Sequence, residues 1–304
     1  MGAVVAEGGR HFASGTPSEG TLAGMKRSRG RESPPNHRVK PVSRRAGPQP
    51  PPAGRPRHQA KTEEMFHGAR ACAALFARRP EAIVRVYLAE ARRRQFATLI
   101  DWCARNRKGF QVVADENLQR LTGSIHHEGV AILARHLPRR SLADLLGRGA
   151  DLTGPIVYLD GVQNPHNLGS IMRTAAHFGV AAIVGRAGDL PPLSPAAVRV
   201  AEGAAETVPV ADLADPAADL GRLKRAGWRV VVTSSHGGES LYAAALPPRA
   251  VVVLGSEAEG VSRAVDALAD LRVQIPGTGT VESLNVSVAC GVVLGECWRR
   301  SRPG

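Results

Sequence analysis

A chain of 304 residues is long enough for two ordinary domains, and a hydrophobic content of 43% excludes global disorder. Its 40 Lys and Arg against 27 Asp and Glu leave a net charge of +13, which points to a polyanionic partner, and to nucleic acid rather than membrane because no basic amphipathic helix is evident. No apolar run reaches the roughly 18 residues of a transmembrane helix, no apolar signal-peptide core opens the chain, and the four cysteines, Cys72, Cys103, Cys290 and Cys297, form no C-x-x-C pair. The expectation is a cytoplasmic protein with buried free thiols, no membrane contact and no bound metal.

Residues 1–62 are rich in Pro, Gly, Ser and Arg, lack periodicity, and read as a disordered basic tail. Twelve Lys and Arg against three Asp and Glu fall within residues 1–61, a balance of +9 that leaves +4 for the rest. The tail either raises affinity for RNA through salt-sensitive phosphate contacts or serves as a solubilising extension. A small α/β domain is expected over 63–137. It has a helix at Phe66–Phe76, a strand at Ala82–Leu88, and a helix at Phe96–Asn106 with Phe96, Leu99, Ile100 and Cys103 at helical spacing. A strand at Phe110–Val113, a short helix at Glu116–Leu121 and a strand at Val130–Ala134 complete it. His126 and His127 fit a turn entering that last strand better than a contact to phosphate or base. Residues 138–154, carrying Gly147, Gly149 and Gly154, read as an interdomain linker with a short helix at Leu142–Leu146.

A second domain is expected over 155–304. The strand Ile156–Leu159 leads through the polar loop Asp160–Asn167 into a helix at Leu168–Phe178, with Asn167 as its N-cap and Gly179 as its stop. Apolar runs at Ala181–Val184, Thr207–Val210 and Trp228–Thr233 alternate with helical stretches at Pro195–Glu202 and Pro216–Ala226. Val251–Leu254 and Leu271–Ile275 each end in a Gly-rich polar loop, as buried parallel strands do at the edge where ligands sit. The second loop opens a helix whose Val286, Val288, Ala289, Val292, Val293 and Leu294 leave it apolar almost all round, so it is buried in the core or against a partner. Six strands interleaved with helices predict a mostly parallel, covered sheet, an α/β fold.

The chemistry is narrower than the fold. There is no G-x-x-x-x-G-K-[ST] loop; Gly277-x-Gly279 lacks a third glycine because Glu282 stands there; and no H-E-x-x-H or paired Cys/His spacing points to metal. What remains is three loops holding Asn164, His166, Asn167 and Arg173; Glu257 and Glu259; and Ser283 and Asn285. Arg173 lies off the apolar helix face and either projects toward a ligand or is a surface arginine. Glu257 orients a donor group, braces Arg173 or caps a helix.

The three loops resemble the three signature motifs of the SpoU (TrmH) class of RNA ribose 2′-O-methyltransferases in the SPOUT superfamily. Asn167-Leu168-Gly169-Ser170-Ile171-Met172-Arg173 matches the first motif and Leu254-Gly255-Ser256-Glu257-Ala258-Glu259-Gly260 the second. Ile275-Pro276 through Ser283-Leu284-Asn285-Val286-Ser287 matches the third. Residues 64–136 are similar to the small ribosomal-protein-like (L30e-type) substrate-binding domain of the ribosomal RNA branch, through Phe66-His67-Gly68-Ala69 and His127-Glu128-Gly129-Val130. The whole chain most resembles the bacterial YfiF-type members.

The resemblance implies S-adenosylmethionine as cofactor, held in a deep trefoil knot that general topology rules would not suggest. It implies that Gly255, Ile275 and Leu284, with the motif residues Leu254, Gly260, Pro276 and Ser283, hold the cofactor largely through backbone groups. Asn167, Arg173, Glu257, Ser283 and Asn285 form the implied catalytic and RNA-contacting set, in a homodimer with the C-terminal helix at or near its interface and with Arg173 acting within a subunit or across it. An arginine side chain keeps its proton, which favours Arg173 as a clamp on a phosphate and hydroxyl over a general base. The expected substrate is ribosomal or transfer RNA. The rivals are a catalytically silent RNA-binding or assembly protein that keeps the knot, and methylation of a base by the same scaffold.

Overall fold

In a computed structural model of the protein, the described residues are 63–147 and 152–302; the tail expected at 1–62 lies outside them. The first segment contains β1 (Glu63–His67), α1 (Ala69–Arg78), β2 (Ile83–Leu88), α2 (Ala97–Arg105), β3 (Gly109–Val112), α3 (Asp115–Thr122) and β4 (Val130–Arg135). These form a mixed sheet in the order β1-β4-β2-β3, with β4 antiparallel to both neighbours and β2 parallel to β3. In place of the helix expected from Phe66, Phe66 and His67 are strand, paired with Ile132 and Ala131, and the helix starts only at Ala69. A short apolar run fits either period, and pairing to β4 decides it. Gly68, at φ 98°, makes the turn from strand straight into helix possible. His127 is buried in the turn before β4, where its Nδ1 accepts from the Gly129 amide at 3.0 Å.

The stretch read as a linker supplies β5 (Arg140–Ser141) and α4 (Leu142–Leu146), the latter started by a reciprocal Ser141–Asp144 capping box. Then follow β6 (Ile156–Asp160), α5 (Pro165–His177), β7 (Ala182–Arg186), α6 (Pro195–Val200), β8 (Val210–Leu213), α7 (Pro216–Arg225) and β9 (Arg229–Thr233). The chain ends with β10 (Glu239–Ser240), β11 (Ala250–Gly255), α8 (Arg263–Asp266), β12 (Leu271–Gln274) and α9 (Val286–Ser301). The second sheet runs β10-β12-β9-β11-β6-β7-β8-β5, with every neighbouring pair parallel. The protein is thus α/β. The expected strand at Thr207–Val210 begins only at Val210, because Ala204–Glu206 winds into a 3-10 turn.

The central strands β6 and β11 are buried on both faces, as their unbroken Val, Ile and Leu runs require. One apolar cluster runs from Phe66, Leu75 and Ile132 of the first sheet to Val157, Ile171, Val252 and Val293 of the second. α9 packs on α5 and β11 and buries Val286, Cys290, Val293 and Leu294, while Val288 is 52% and Trp298 43% exposed. Within one chain, therefore, the apolar girdle of α9 is covered on one side only.

Candidate functional site

β6 and β11 are adjacent and parallel with Asp160 opposite Gly255, so their carboxyl ends open side by side. That is the edge where open α/β sheets place ligands. The helix leaving β6 starts earlier than expected: Pro165, with no N–H to leave unpaired, takes its first turn, and Asn164 Oδ1 accepts from the His166 amide at 2.9 Å. Asn164, not Asn167, is the N-cap. Asn167 sits inside the helix, only 9% exposed, with its side-chain amide free to reach across the loops.

It reaches Glu257. Asn167 Nδ2 donates to Glu257 Oε1 at 3.1 Å, and Asn285 Nδ2 donates to the same oxygen at 2.8 Å and to Asn167 Oδ1 at 3.2 Å. Asn285 Oδ1 accepts from the amide and hydroxyl of Ser287 and so caps α9. One carboxylate thereby ties the first turn of α5 and the loop after β11 to the start of the last helix. Two other expected site residues stand apart from this network: Arg173 and Ser283 make no hydrogen bond to it among the described residues. Glu257 does not brace Arg173. Arg173, its side chain 58% exposed and its backbone roughly 9 Å further along α5 than that of Asn167, places Nη1 3.3 Å from Glu202 instead.

The loop after β11 is closed on itself. Ser256 and Gly260 exchange both backbone hydrogen bonds at 3.0 Å, Ser256 Oγ accepts from the Glu259 amide, and Gly260 adopts φ 69°. A side chain at Gly255 would stand 2.1 Å from the Gly260 carbonyl carbon, so this turn requires glycine there. Leu254 is fully buried beneath it, at 1%. Asp160 Oδ2 accepts from the Ser262 amide at 2.7 Å, which pins the loop's far end to β6. The Tyr158 hydroxyl donates to Asp160 at 3.4 Å; burial, and then that carboxylate, push the phenol well above its ordinary value.

The segment after β12 is open. Ile275 is half-buried against the core, whereas Pro276, Ser283 and Leu284 are exposed, Leu284 by 43%. Among the described residues no backbone–backbone hydrogen bond involves 277–284; the Thr280 amide donates to Thr278 Oγ1 at 3.4 Å, and the other amides and carbonyls are left to a ligand or solvent. The sequence reading missed the loop after β9, whose His236 Nε2 lies 3.5 Å from Glu282 Oε1, and it missed Asp160 and Glu202. Asp160 ends a strand at the ligand edge, a usable signal; Glu202 has none, since its partners lie 29 and 132 positions away. Among the described residues no cluster of His, Cys, Asp and Glu is placed to hold a metal ion, and no helix is long and apolar enough to cross a membrane.

Comparison with known proteins bears on both segments. Residues 154–295 match the SpoU rRNA Methylase family, and residues 67–139 match the family described as RNA 2′-O ribose methyltransferase substrate binding. The chain is 40% identical over 246 residues to YfiF of Escherichia coli, named an uncharacterized tRNA/rRNA methyltransferase, with 81% of this chain and 71% of the relative covered. It is 35% identical over 241 residues to the 23S rRNA (guanosine-2′-O-)-methyltransferase RlmB of Bordetella pertussis, covering 78% and 97%. The fold is that of the SpoU methyltransferase AviRb from Streptomyces viridochromogenes, solved with AdoMet, at TM-score 0.65 and 20% identity over 82% of this chain and 94% of that one.

Proposed function

The chain belongs to the SpoU rRNA methylase family, and on that footing we propose that it transfers a methyl group from S-adenosylmethionine to a ribose 2′-hydroxyl of ribosomal or transfer RNA. The observation that carries the reading is the Asn167–Glu257–Asn285 network, which joins residues 90 and 118 positions apart at the ligand edge of the parallel sheet.

The residues present fit the cofactor. The glycine-only turn at Gly255 and Gly260 lets a ligand approach the backbone, and the segment 277–284, which makes no backbone–backbone hydrogen bond among the described residues, offers donors and acceptors to it. We assign Leu254, Gly255, Gly260, Ile275, Pro276, Ser283 and Leu284 to holding it. S-adenosylmethionine, when bound, supplies an electrophilic methyl group, so the protein's task is to position the hydroxyl and help its proton leave. Asn167 and Asn285 fix the Glu257 carboxylate, and Arg173, with Ser283 beside the cofactor loop, clamps the RNA at the reacting ribose. Residues 63–137 act as a ribosomal-protein-like substrate-binding unit, 155–304 as the methyltransferase unit with a trefoil knot at its cofactor loops, and residues 1–62 as a basic tail. The exposed Val288 and Trp298 of α9 support a homodimer, and the buried thiols Cys72, Cys103 and Cys290 support a cytoplasmic location. Sedimentation of wild type beside Val288→Glu tests the dimer: a monomeric wild type refutes it.

The deciding experiment is transfer of labelled methyl from S-adenosylmethionine to total bacterial RNA from a strain without this activity, wild type beside Arg173→Ala. Label in alkali-resistant dinucleotides, lost in the variant, is the expected result. Label in nucleobases moves the acceptor atom, and tight binding of cofactor and RNA without transfer marks a silent binder.

A further inference from the structure

Where the substrate-binding segment meets the methyltransferase segment, Gly68, Arg70, Glu128, Arg173, Arg199 and Glu202 line a cavity of about 250 Å³. Glu202 divides its carboxylate between two cations: Oε2 accepts from Arg70 Nη1 at 2.9 Å, and Oε1 lies 3.3 Å from Arg173 Nη1. Arg70 comes from α1 and Arg173 from α5. The carboxylate is placed by the backbone: Glu202 adopts φ 48°, which non-glycine residues seldom do, and Gly203 follows at φ 94°. A side chain at Gly203 would stand 2.8 Å from Ala74 Cβ, so glycine lets this loop press onto α1.

The remaining charges are unequal. Glu128 is committed to the Ala69 amide at the start of α1, at 2.9 Å. Arg199, half-buried against Gly68, has no carboxylate partner among the described residues. Three arginines thus line the cavity, and its Glu202 carboxylate pairs with two of them. The cavity adjoins a groove of about 710 Å³ between α1 and α5, with Arg78 and His177 on its walls.

We propose that this cavity is a phosphate subsite for the RNA backbone, in which a phosphodiester takes over the Arg70 and Arg173 contacts that Glu202 makes and adds Arg199. The inference rests on the reading of the chain as an RNA methyltransferase and deepens it. A phosphodiester presents two equivalent anionic oxygens to two guanidinium groups, as this carboxylate does, and gains the third cation besides. The exchange costs little, because Arg70 is 75%, Arg173 58% and Glu202 34% exposed, and ion pairs so exposed contribute little to stability. Glu202 is then a competitor for the site. It keeps the arginines paired against weak anions and yields to a polyanion whose contacts continue along the groove. One phosphate would thereby couple recognition by α1 to the orientation of Arg173.

The test is binding of unmodified, transcribed ribosomal RNA at several salt concentrations, by full-length wild type, Arg70→Gln, Arg199→Gln and Glu202→Gln, with cofactor affinity and methyl transfer measured beside it. Each arginine variant is expected to lower the slope of log affinity against log salt by about 0.7–0.9 and to weaken binding roughly five- to tenfold at 0.1 M salt. Glu202→Gln is expected to tighten binding about two- to fivefold, since it removes a like charge from the site. Unchanged slopes in both arginine variants, with normal transfer by the wild type, overturn the subsite and leave the activity standing. Lowered slopes with no transfer by the wild type do the reverse. Weaker binding by Glu202→Gln shows that the carboxylate organises the arginines and sinks its role as competitor.

Discussion

The side-chain amide of Asn285 donates to Glu257 at 2.8 Å while Asn285 Oδ1 accepts from the Ser287 amide in the first turn of α9, so one asparagine both starts the last helix and locks it to the loop after β11. With Asn167 the lock has three members and one charge. Glu257→Ala leaves two asparagines facing each other with unmatched donors. Charged hydrogen bonds are strong, but Glu257 is exposed, so the expected loss of stability is only about 1 kcal/mol. The expected fall in methyl transfer is larger, at least tenfold. A urea titration beside a single-turnover assay separates the two, and wild-type turnover by the variant would remove the network from the mechanism.

The turn at Gly255 admits no side chain. Gly255→Ala forces a Cβ to within 2.1 Å of the Gly260 carbonyl carbon, so the turn must open. Gly279→Ala places its Cβ in open space and costs about 1 kcal/mol or less, for its φ of 77° alone. Calorimetry with S-adenosylmethionine is expected to show at least tenfold weaker binding for Gly255→Ala. Equal affinities for wild type and Gly255→Ala would take the cofactor away from this loop.

The two halves of the described chain are pinned by a buried ion pair. Arg79 Nε lies 2.8 Å from Glu206 Oε2, with side-chain exposures of 10% and 2%, and Arg79 Nη1 donates to the Arg135 carbonyl at 2.5 Å. The Arg79 guanidinium also lies 5.5 Å from the centre of the Phe66 ring. Arg79→Ala strands a buried carboxylate and is expected to cost about 3–5 kcal/mol, whereas Arg79→Met with Glu206→Leu recovers most of it. Chemical unfolding of the single and double variants checks this. Equal losses in both would mean that packing, not charge, holds the junction.

Glu296, buried on α9, receives Arg299 Nε at 2.8 Å and Arg300 Nε at 2.6 Å, which hold its carboxyl down at about 2 against an ordinary 4.5. The ion pairs stabilise the fold fully above pH 4.5, and their contribution is lost as the pH falls toward 2, where the folded form takes up the proton. Glu296→Gln is expected to flatten stability against pH in that window by up to about 1.4 kcal/mol per pH unit, and to leave the slope above pH 5 unaltered. Unfolding midpoints from pH 2 to 7 measure it; identical slopes below pH 4.5 count against the pairing.

The α/β class and the parallel strands at 156–160, 229–233 and 250–255 were legible because each rests on local pattern, and the meeting of Asn167, Glu257 and Asn285 because they fall in three motifs that resemble those of a known family. Buried strands read as unbroken apolar runs, loops as glycine and polar residues, and motifs as short strings. What the sequence could not supply were choices between local options of similar energy. Phe66 and His67 fit a helix until β4 pairs with them, and Asn164 and Asn167 both fit an N-cap until Pro165 takes the first turn and Glu257 claims Asn167. Arg140–Ser141 reads as linker until β8 offers it an edge. The partner of Arg173 is the clearest case: bracing by Glu257 was one of three roles left open, but a helix that places Arg173 roughly 9 Å beyond Asn167 brings it to Glu202, which the chain reaches only by folding α6 back onto α5. Apolar runs determined which strands are buried. Helix spacing set local pairs such as Glu296 with Arg299 and Arg300, and long-range packing decided the partners of Arg79 and Arg173.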